Sequence, residues 1–113
     1  MREDGKIDYV EMPGGDLPAT KAFYADAFGW AFTDYGSGYA AYDEGLDGGF
    51  DAVGSAGGKP VVILYAHDLE AMLIRVEAAG GGVLKPIFAF PGGRRFHFRD
   101  PAGNELAVWS EDR

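Results

Sequence analysis

The chain has 113 residues, 47% hydrophobic and 25% charged, with 18 glycines, no cysteine and a formal net charge of −8. This length predicts one domain over residues 1–113. The acidic balance disfavours nucleic acid and anionic membranes as partners, because both require a basic face. The lack of cysteine excludes disulfides and zinc–sulfur sites. With no apolar run of membrane-spanning length and no apolar signal segment after the first methionine, we expect a cytoplasmic protein.

The chain opens with signals for a strand followed by a helix. Residues 6–12 alternate in polarity and place Tyr9 and Glu11 on one face, as in a half-buried strand. Asp16 is a favourable N-cap, because its carboxylate can accept from the first free N–H groups of a helix. The helical pattern ends at Gly29, which can adopt a left-handed conformation.

Short segments separated by glycines follow the first helix. They predict two strands joined by a Gly-Ser-Gly turn, then a glycine-rich loop, a short strand and a flexible linker. The corresponding residues are 30–35 and 39–43 for the two strands, 44–49 for the loop, 50–53 for the short strand and 54–58 for the linker.

The second half repeats the pattern of the first. Residues 60–66 form a nearly continuous apolar strand, and Asp68 then caps a helix that runs to about Ala79. A glycine triplet ends this helix. Residues 83–85 predict a short strand, and residues 86–93 predict an aromatic loop or bent strand that leads into a final hairpin.

The order of elements is therefore βαβββ twice, which indicates an internal repeat. Asp16-Leu17 and Asp68-Leu69, which open the two helices, lie 52 residues apart, and the same spacing relates Gly29 to Gly81. We predict one module over about residues 6–53 and a second over about residues 60–110.

The final hairpin decides which side chains share a face. A two-residue turn at residues 101–102 pairs Phe98 with Glu105. That pairing places Phe96 and Phe98 on the face of Glu105 and turns His97 toward the aliphatic face, as a packing residue. A bulge would reverse the assignment, because one residue of slip moves every side chain to the other face.

Two long motifs resemble the vicinal oxygen chelate superfamily, which includes glyoxalase I, bleomycin-resistance proteins and extradiol dioxygenases. They are GDLPATKAFYADAFGW at residues 15–30 and FRDPAGNELAVW at residues 98–109. LEAMLIRVEAAGGGV at residues 69–83 agrees with them. LDGGF at residues 46–50 resembles the glycine-rich loop before the fourth strand in a small glyoxalase-like branch of the superfamily. The resemblance implies an α+β fold. Its two βαβββ modules form a curved, mixed sheet that encloses a cleft, with the helices outside.

Metal-dependent members of that superfamily take ligands from the first and last strands of each module. The resemblance places Tyr9, Val61 and Ala107 at three of these positions, and the fourth lies near Phe50. Valine and alanine have no donor atom, whereas a catalytic zinc site usually has three protein ligands. We therefore predict no metal and no cofactor.

Aromatic side chains of cleft-facing parity predict a small-molecule site, although the same pattern is typical of the core of a curved sheet. Glu11 and Glu105 have the same parity and are candidate acid–base residues if burial raises a pKa. The alternative is a solvated or arginine-paired position at the rim. The predicted ligand-binding residues are Tyr9, Phe50, Tyr65, Phe96, Phe98 and Trp109.

Two functions follow from these patterns. The first is a glyoxalase- or bleomycin-resistance-like protein that binds a small, partly aromatic or hydrophobic molecule without the usual divalent metal. The second is a lyase or isomerase of the glyoxalase type that uses the cleft carboxylates. We also expect a homodimer, because small sheets leave edges that need to be covered.

Overall fold

The computed structural model describes residues 2–52 and 58–111, and the chain divides into two compact units. The N-terminal module is Tyr9–Val61, and the C-terminal module combines Met1–Asp8 with Val62–Arg113. The predicted end of the first repeat at Val53, and residues 54–57 of the predicted linker, lie outside the described residues.

Each module has the same order of elements, which confirms the predicted α+β class and the repeated βαβββ arrangement. The first repeat consists of β1 (Ile7–Pro13), α1 (Leu17–Phe28), β2 (Thr33–Asp34), β3 (Tyr39–Asp43) and β4 (Asp47–Asp51). The second consists of β5 (Val61–Tyr65), α2 (Leu69–Ala78), β6 (Gly82–Phe90), β7 (Gly93–Arg99) and β8 (Glu105–Ser110). Within the described residues, no helix is long and apolar enough to cross a membrane.

Both modules also share a strand topology. The strand order is β2-β3-β4-β1 in the first repeat and β5-β8-β7-β6 in the second. In each, the first strand pairs in parallel with the last, and the remaining pairs are antiparallel. The helix and the two strands after it form the long connection that a parallel pair requires.

Local sequence signals explain the helix ends. The Asp16 carboxylate accepts from the Ala19 backbone N–H at 3.2 Å, and the Asp68 carboxylate accepts from that of Ala71 at 3.0 Å. Helix α1 ends at Gly29, which has a left-handed φ of 74°. Each cap satisfies an N–H group that a helix leaves without an intrahelical partner.

Three strands differ from the predicted boundaries. Strand β2 contains only Thr33–Asp34, because Trp30 and Phe32 pack into the core instead of continuing the strand. Strand β4 begins at Asp47, inside the predicted glycine loop. Strand β6 runs without a break over Gly82–Phe90, with irregular register against β7, where a short strand and a bent segment were expected.

The core of each module lies between its helix and one face of its strands. In the N-terminal module the core is aromatic, and the rings of Tyr24 and Trp30 stack with centroids 4.7 Å apart. The N-terminal core contains Leu17, Tyr42 and Phe50, packed by Met12, Tyr24, Trp30, Phe32 and Ala52. The C-terminal core contains Ala66, Leu69, Phe96, Phe98 and Val108, packed by Leu64, Met72, Leu73, Val76, Ile87 and Leu106.

Candidate functional site

The hairpin between β7 and β8 has a longer connection than the predicted two-residue turn. The structure pairs Arg99 with Glu105 and Phe98 with Leu106, so the predicted pairing of Phe98 with Glu105 is wrong by one residue. The cause lies in the connection itself. The Asp100 Oδ1 accepts from the backbone N–H groups of Ala102 at 3.0 Å and Asn104 at 2.8 Å.

This shift reverses the predicted faces of three neighbouring residues. Phe96 and Phe98 pack in the core beside α2, and His97 lies on the opposite face with Glu105. The alternative in which His97 turns away from the helix is therefore the observed one. Both phenylalanines are buried against α2. They were predicted to bind a ligand because they were expected to face the cleft, and that expectation is wrong.

Phe50 requires the same correction. It is 2% exposed and its ring lies 5.2 Å from that of Tyr24 on α1 and 5.4 Å from that of Tyr42. The β1–β4 register pairs it with Met12, another core residue, whereas Glu11 alternates to the other face. Phe50 thus packs under α1, and its predicted contact with a ligand has no support from its position.

On the face of the C-terminal module away from α2, His97 and Glu105 form a hydrogen-bonded pair. The His97 side chain is 0% exposed, and its Nδ1 lies 2.8 Å from Glu105 Oε2. Burial lowers the pKa of His97, the hydrogen bond to Glu105 opposes this, and the charges of Arg95 and Lys85 add to the lowering. A neutral imidazole that donates from Nδ1 keeps a lone pair on Nε2, and none of the described residues forms a hydrogen bond with that atom.

Trp109 lies on the same face, in contact with three aromatic or cationic side chains. Its ring centroid is 5.4 Å from that of Tyr65 and 6.1 Å from that of Phe90, and the Arg2 guanidinium lies 5.0 Å above it. Its Nε1 donates to Asp8 Oδ2 at 2.9 Å. The prediction that Tyr65 and Trp109 share a face is confirmed, because they are paired across β5 and β8.

In the N-terminal module, Tyr9 and Glu11 are joined through a third residue. The Tyr9 and Tyr39 hydroxyl oxygens lie 2.5 Å apart, and the Tyr39 hydroxyl donates to Glu11 Oε1 at 3.2 Å. Glu11 is only 4% exposed. We call Tyr9, Tyr39 and Glu11 the tyrosine–glutamate chain. The shared face of Tyr9 and Glu11 was predicted, whereas the role of Tyr39 was not.

Two adjacent glycines of β4 make this arrangement possible. Tyr39 crosses β4 over Gly49, and a Cβ at that glycine would overlap the Tyr39 ring. Tyr42 crosses over Gly48 and donates to the Val10 carbonyl oxygen at 2.9 Å, and a Cβ at Gly48 would overlap both. The Gly-Gly pair is the signal in the sequence that could have indicated these crossings.

Burial favours the protonated form of the Tyr9, Tyr39 and Tyr42 hydroxyls by raising their pKa values. It is the main cause that raises the pKa of Tyr39 and of Tyr9, and the negative charge of Glu11 raises both further. Burial also raises the pKa of Tyr42 to about 12. Each of these hydroxyls therefore has one hydrogen to donate.

The residues at the metal-ligand positions of the superfamily do not fit a divalent metal. Val61 and Ala107 are both buried and have no donor atom, and the Tyr9 hydroxyl contacts Tyr39. Across residues 2–52 and 58–111, no three His, Cys, Asp or Glu side chains are grouped closely enough to hold a metal ion. A catalytic zinc site usually has three protein ligands.

Two relatives show which known proteins the chain is similar to. It is 28% identical over 122 aligned residues to Putative glyoxylase CFP32 of Mycobacterium bovis, covering 96% of this chain and 47% of that protein. It is 27% identical to the Mn(II)-bound glyoxalase of Novosphingobium aromaticivorans, with a TM-score of 0.67, covering 98% of this chain and 40% of that one. The chain thus spans about half the length of the curated relatives that it matches.

The fold and a family profile agree with these similarities. A superfamily member from Vibrio splendidus has the same fold, with a TM-score of 0.72 at 15% identity, covering 93% of this chain and 97% of that one. The profile of the family matches residues 6–108. The chain therefore belongs to the Glyoxalase/Bleomycin resistance protein/Dioxygenase superfamily.

Proposed function

We propose that this chain binds a small, partly aromatic or hydrophobic molecule and does so without the divalent metal of its metal-dependent relatives. The tyrosine–glutamate chain is the observation that carries this proposal. At a position where metal-dependent members place a ligand, Tyr9 instead joins a hydrogen-bonded chain that ends on a buried carboxylate. Such a chain orients an organic ligand.

The chemistry around the chain supports an organic ligand. Ligand sites are mostly apolar and contain a few positioned polar groups, and tyrosine combines an aromatic ring with one polar atom. Tyr9 is half-buried, as a residue at the wall of a ligand site would be. The purified protein, extracted with organic solvent and examined by mass spectrometry, is expected to release a bound small molecule. The Tyr9→Phe variant is the matched control and is expected to retain less of it.

The pair of His97 and Glu105 favours a second candidate, a lyase or isomerase of the glyoxalase type. A carboxylate that orients a neutral imidazole is a common arrangement for a general base, because it holds the proton on one nitrogen and leaves the other free to accept. In this candidate Glu105 acts through His97, whereas Glu11 acts within the tyrosine–glutamate chain. Turnover that disappears in His97→Gln, and persists in Tyr9→Phe, would favour the enzyme over the binding protein.

The proposal predicts that the purified protein contains no stoichiometric Zn, Mn, Ni or Fe. The reason is the absence of donor atoms at Val61 and Ala107, both of which are buried. Elemental analysis after dialysis against metal-free buffer, and again after incubation with each metal, checks this. About one equivalent of metal per chain that survives dialysis would contradict it.

We also propose that the chain forms a homodimer. Strand β6, nine residues long, stands at the end of the strand order of its module, and an uncovered edge of that length invites pairing with another chain. Light scattering at micromolar concentration is expected to give twice the mass of 12.1 kDa. A mass that stays at the single-chain value up to about 100 µM would count against the dimer, because a dimer with a dissociation constant of about 1 µM would be mostly assembled at that concentration.

A further inference from the structure

The tyrosine–glutamate chain has a direction, and from it we infer the chemistry of the ligand. We propose that the ligand presents a hydrogen-bond donor, an N–H or O–H group, to the Tyr9 hydroxyl oxygen. This inference rests on the proposed function and makes it specific, because it separates donor-bearing aromatic molecules from acceptor-bearing ones of the same shape.

The direction follows from counting hydrogens. A tyrosine hydroxyl has one hydrogen and two lone pairs. Tyr39 uses its hydrogen toward Glu11 Oε1, at 3.2 Å. The 2.5 Å contact between the two hydroxyls is compatible with either donor, and the preference of the Tyr39 hydrogen for the charged carboxylate assigns Tyr9 as the donor there and Tyr39 as the acceptor. Tyr9 has then used its only hydrogen, and its oxygen can offer nothing but lone pairs to a further partner.

The fold holds this direction in place. Reversing the chain would withdraw the Tyr39 hydrogen bond from Glu11, which is 4% exposed, and a buried carboxylate that loses a donor is destabilised. The Tyr39 ring lies directly over Gly49, where any Cβ would overlap it, and from there it reaches Glu11. Burial keeps both hydroxyls protonated, which preserves the count of hydrogens.

The consequence for a ligand is selective. An indole N–H, an amide N–H, a phenol or an ammonium group can donate to the Tyr9 oxygen. An ether or a carboxylate places lone pairs against lone pairs and gains nothing there. One neutral hydrogen bond corresponds to about a fivefold difference in affinity, and the absence of a repulsive contact adds to it.

Three bicyclic probes of nearly the same size test the inference. Indole has a donor, benzofuran has an acceptor in the same place, and indene has neither. Titrations followed by NMR are expected to give a dissociation constant about fivefold or more lower for indole than for benzofuran. Indene, which avoids the contact between lone pairs, is expected to bind more weakly than indole and no more weakly than benzofuran. All titrations use the full chain, and a backbone spectrum of each variant checks that it is folded.

Variants make the test specific to the chain of hydroxyls. Tyr9→Phe is expected to make indole and benzofuran equal. Tyr39→Phe returns a free hydrogen to Tyr9, so benzofuran is expected to gain affinity and the ratio to fall. Tyr42→Phe is the matched control, because its hydroxyl donates to Val10 on the other face, and it is expected to leave the ratio unchanged.

The possible outcomes separate the two proposals. Equal binding of indole and benzofuran by the unmodified chain, or a preference for benzofuran, would overturn the inference about the donor while small-molecule binding stood. Binding of none of the three probes would overturn small-molecule binding of this aromatic class, and the inference with it. A preference for indole that survives Tyr9→Phe would assign the donor contact to another residue and also overturn the inference.

Discussion

Replacing Gly48 by alanine is expected to destabilise the protein by about 1–3 kcal/mol or more, because the new methyl group has no space. A Cβ at this position meets the Val10 carbonyl oxygen and the Tyr42 ring together. The flexible ring alone could move aside, but the carbonyl belongs to the neighbouring strand β1, so relief requires β1 and β4 to separate. The loss should be visible as a lower midpoint of urea unfolding.

A second glycine of the same module provides the control. Gly38 has no positive φ, and a Cβ there would contact nothing within 4 Å. Gly38→Ala is therefore expected to change the free energy of unfolding by no more than about 0.5 kcal/mol, as most surface substitutions do. If the two alanine variants unfold at the same urea concentration, the close approach of Tyr42 and Val10 to Gly48 is wrong.

The neighbouring Gly49→Ala variant connects this packing to the proposed site. Its Cβ would overlap the outer atoms of the Tyr39 ring, a flexible side chain, and would meet no backbone atom among its nearest neighbours. The ring can swing away, so the cost in stability is expected to be smaller than for Gly48→Ala. Displacing the ring breaks the contact with Tyr9 and Glu11, so the preference for indole over benzofuran should be lost.

The two helices could be predicted because their signals are local. An aspartate before each helix accepts from a backbone N–H three residues later, and both contacts lie within one turn. The start of strand β4 at Asp47 could not, since glycine and aspartate have low strand propensity and four of the five residues of β4 are of these types. What forms a strand there is the packing of tyrosines from β3 across the glycines, which is a tertiary effect.

The hairpin error has a different physical origin. A two-residue turn is predicted from backbone geometry alone. In the structure, the Asp100 carboxylate also accepts from the side-chain amide nitrogen of Asn104, at 3.0 Å. These bonds stabilise a five-residue connection, closed where Asp100 N donates to the Asn104 carbonyl at 3.0 Å. Because the faces of a strand alternate, a slip of one residue exchanged the predicted positions of His97 and the phenylalanines.

The candidate site was predictable only in part. The alternation of β1 placed Tyr9 and Glu11 on one face, as found. Tyr39, which links them, lies 28 residues from Glu11 in the chain, and no local pattern connects the two. The pairing of His97 with Glu105 depended on the hairpin register, so it could be predicted only after the turn had been assigned correctly.

Replacing Trp109 by alanine is the second variant with a large expected effect. A pocket wall with few neighbours would lose little, but the Trp109 ring contacts Tyr65, Phe90 and Arg2. We expect Trp109→Ala to cost about 3 kcal/mol, the lower end of the range for buried aromatic residues, because Trp109 is only half-buried. Urea unfolding measures the loss.

Trp109→Phe divides that loss into two parts. It retains an aromatic ring between Tyr65 and Phe90 but removes the Nε1–H that donates to Asp8 at 2.9 Å. A hydrogen bond to a charged group contributes about 1.5–3 kcal/mol when buried, and less here because Arg2 also contacts Asp8 at 3.1 Å and shares its charge. We therefore expect Trp109→Phe to cost clearly less than Trp109→Ala.

Combining stability with binding decides what the ring of Trp109 does. If Trp109→Ala lowers the free energy of unfolding by several kcal/mol while the affinity of the folded protein for indole is unchanged, Trp109 packs the C-terminal module and does not contact the ligand. If the variant is nearly as stable as the unmodified chain but no longer binds indole, the contacts with Tyr65, Phe90 and Arg2 contribute little. The predicted ligand-binding role of Trp109 would then stand. If neither the free energy of unfolding nor the affinity for indole changed, Trp109 would stabilise neither its module nor a ligand.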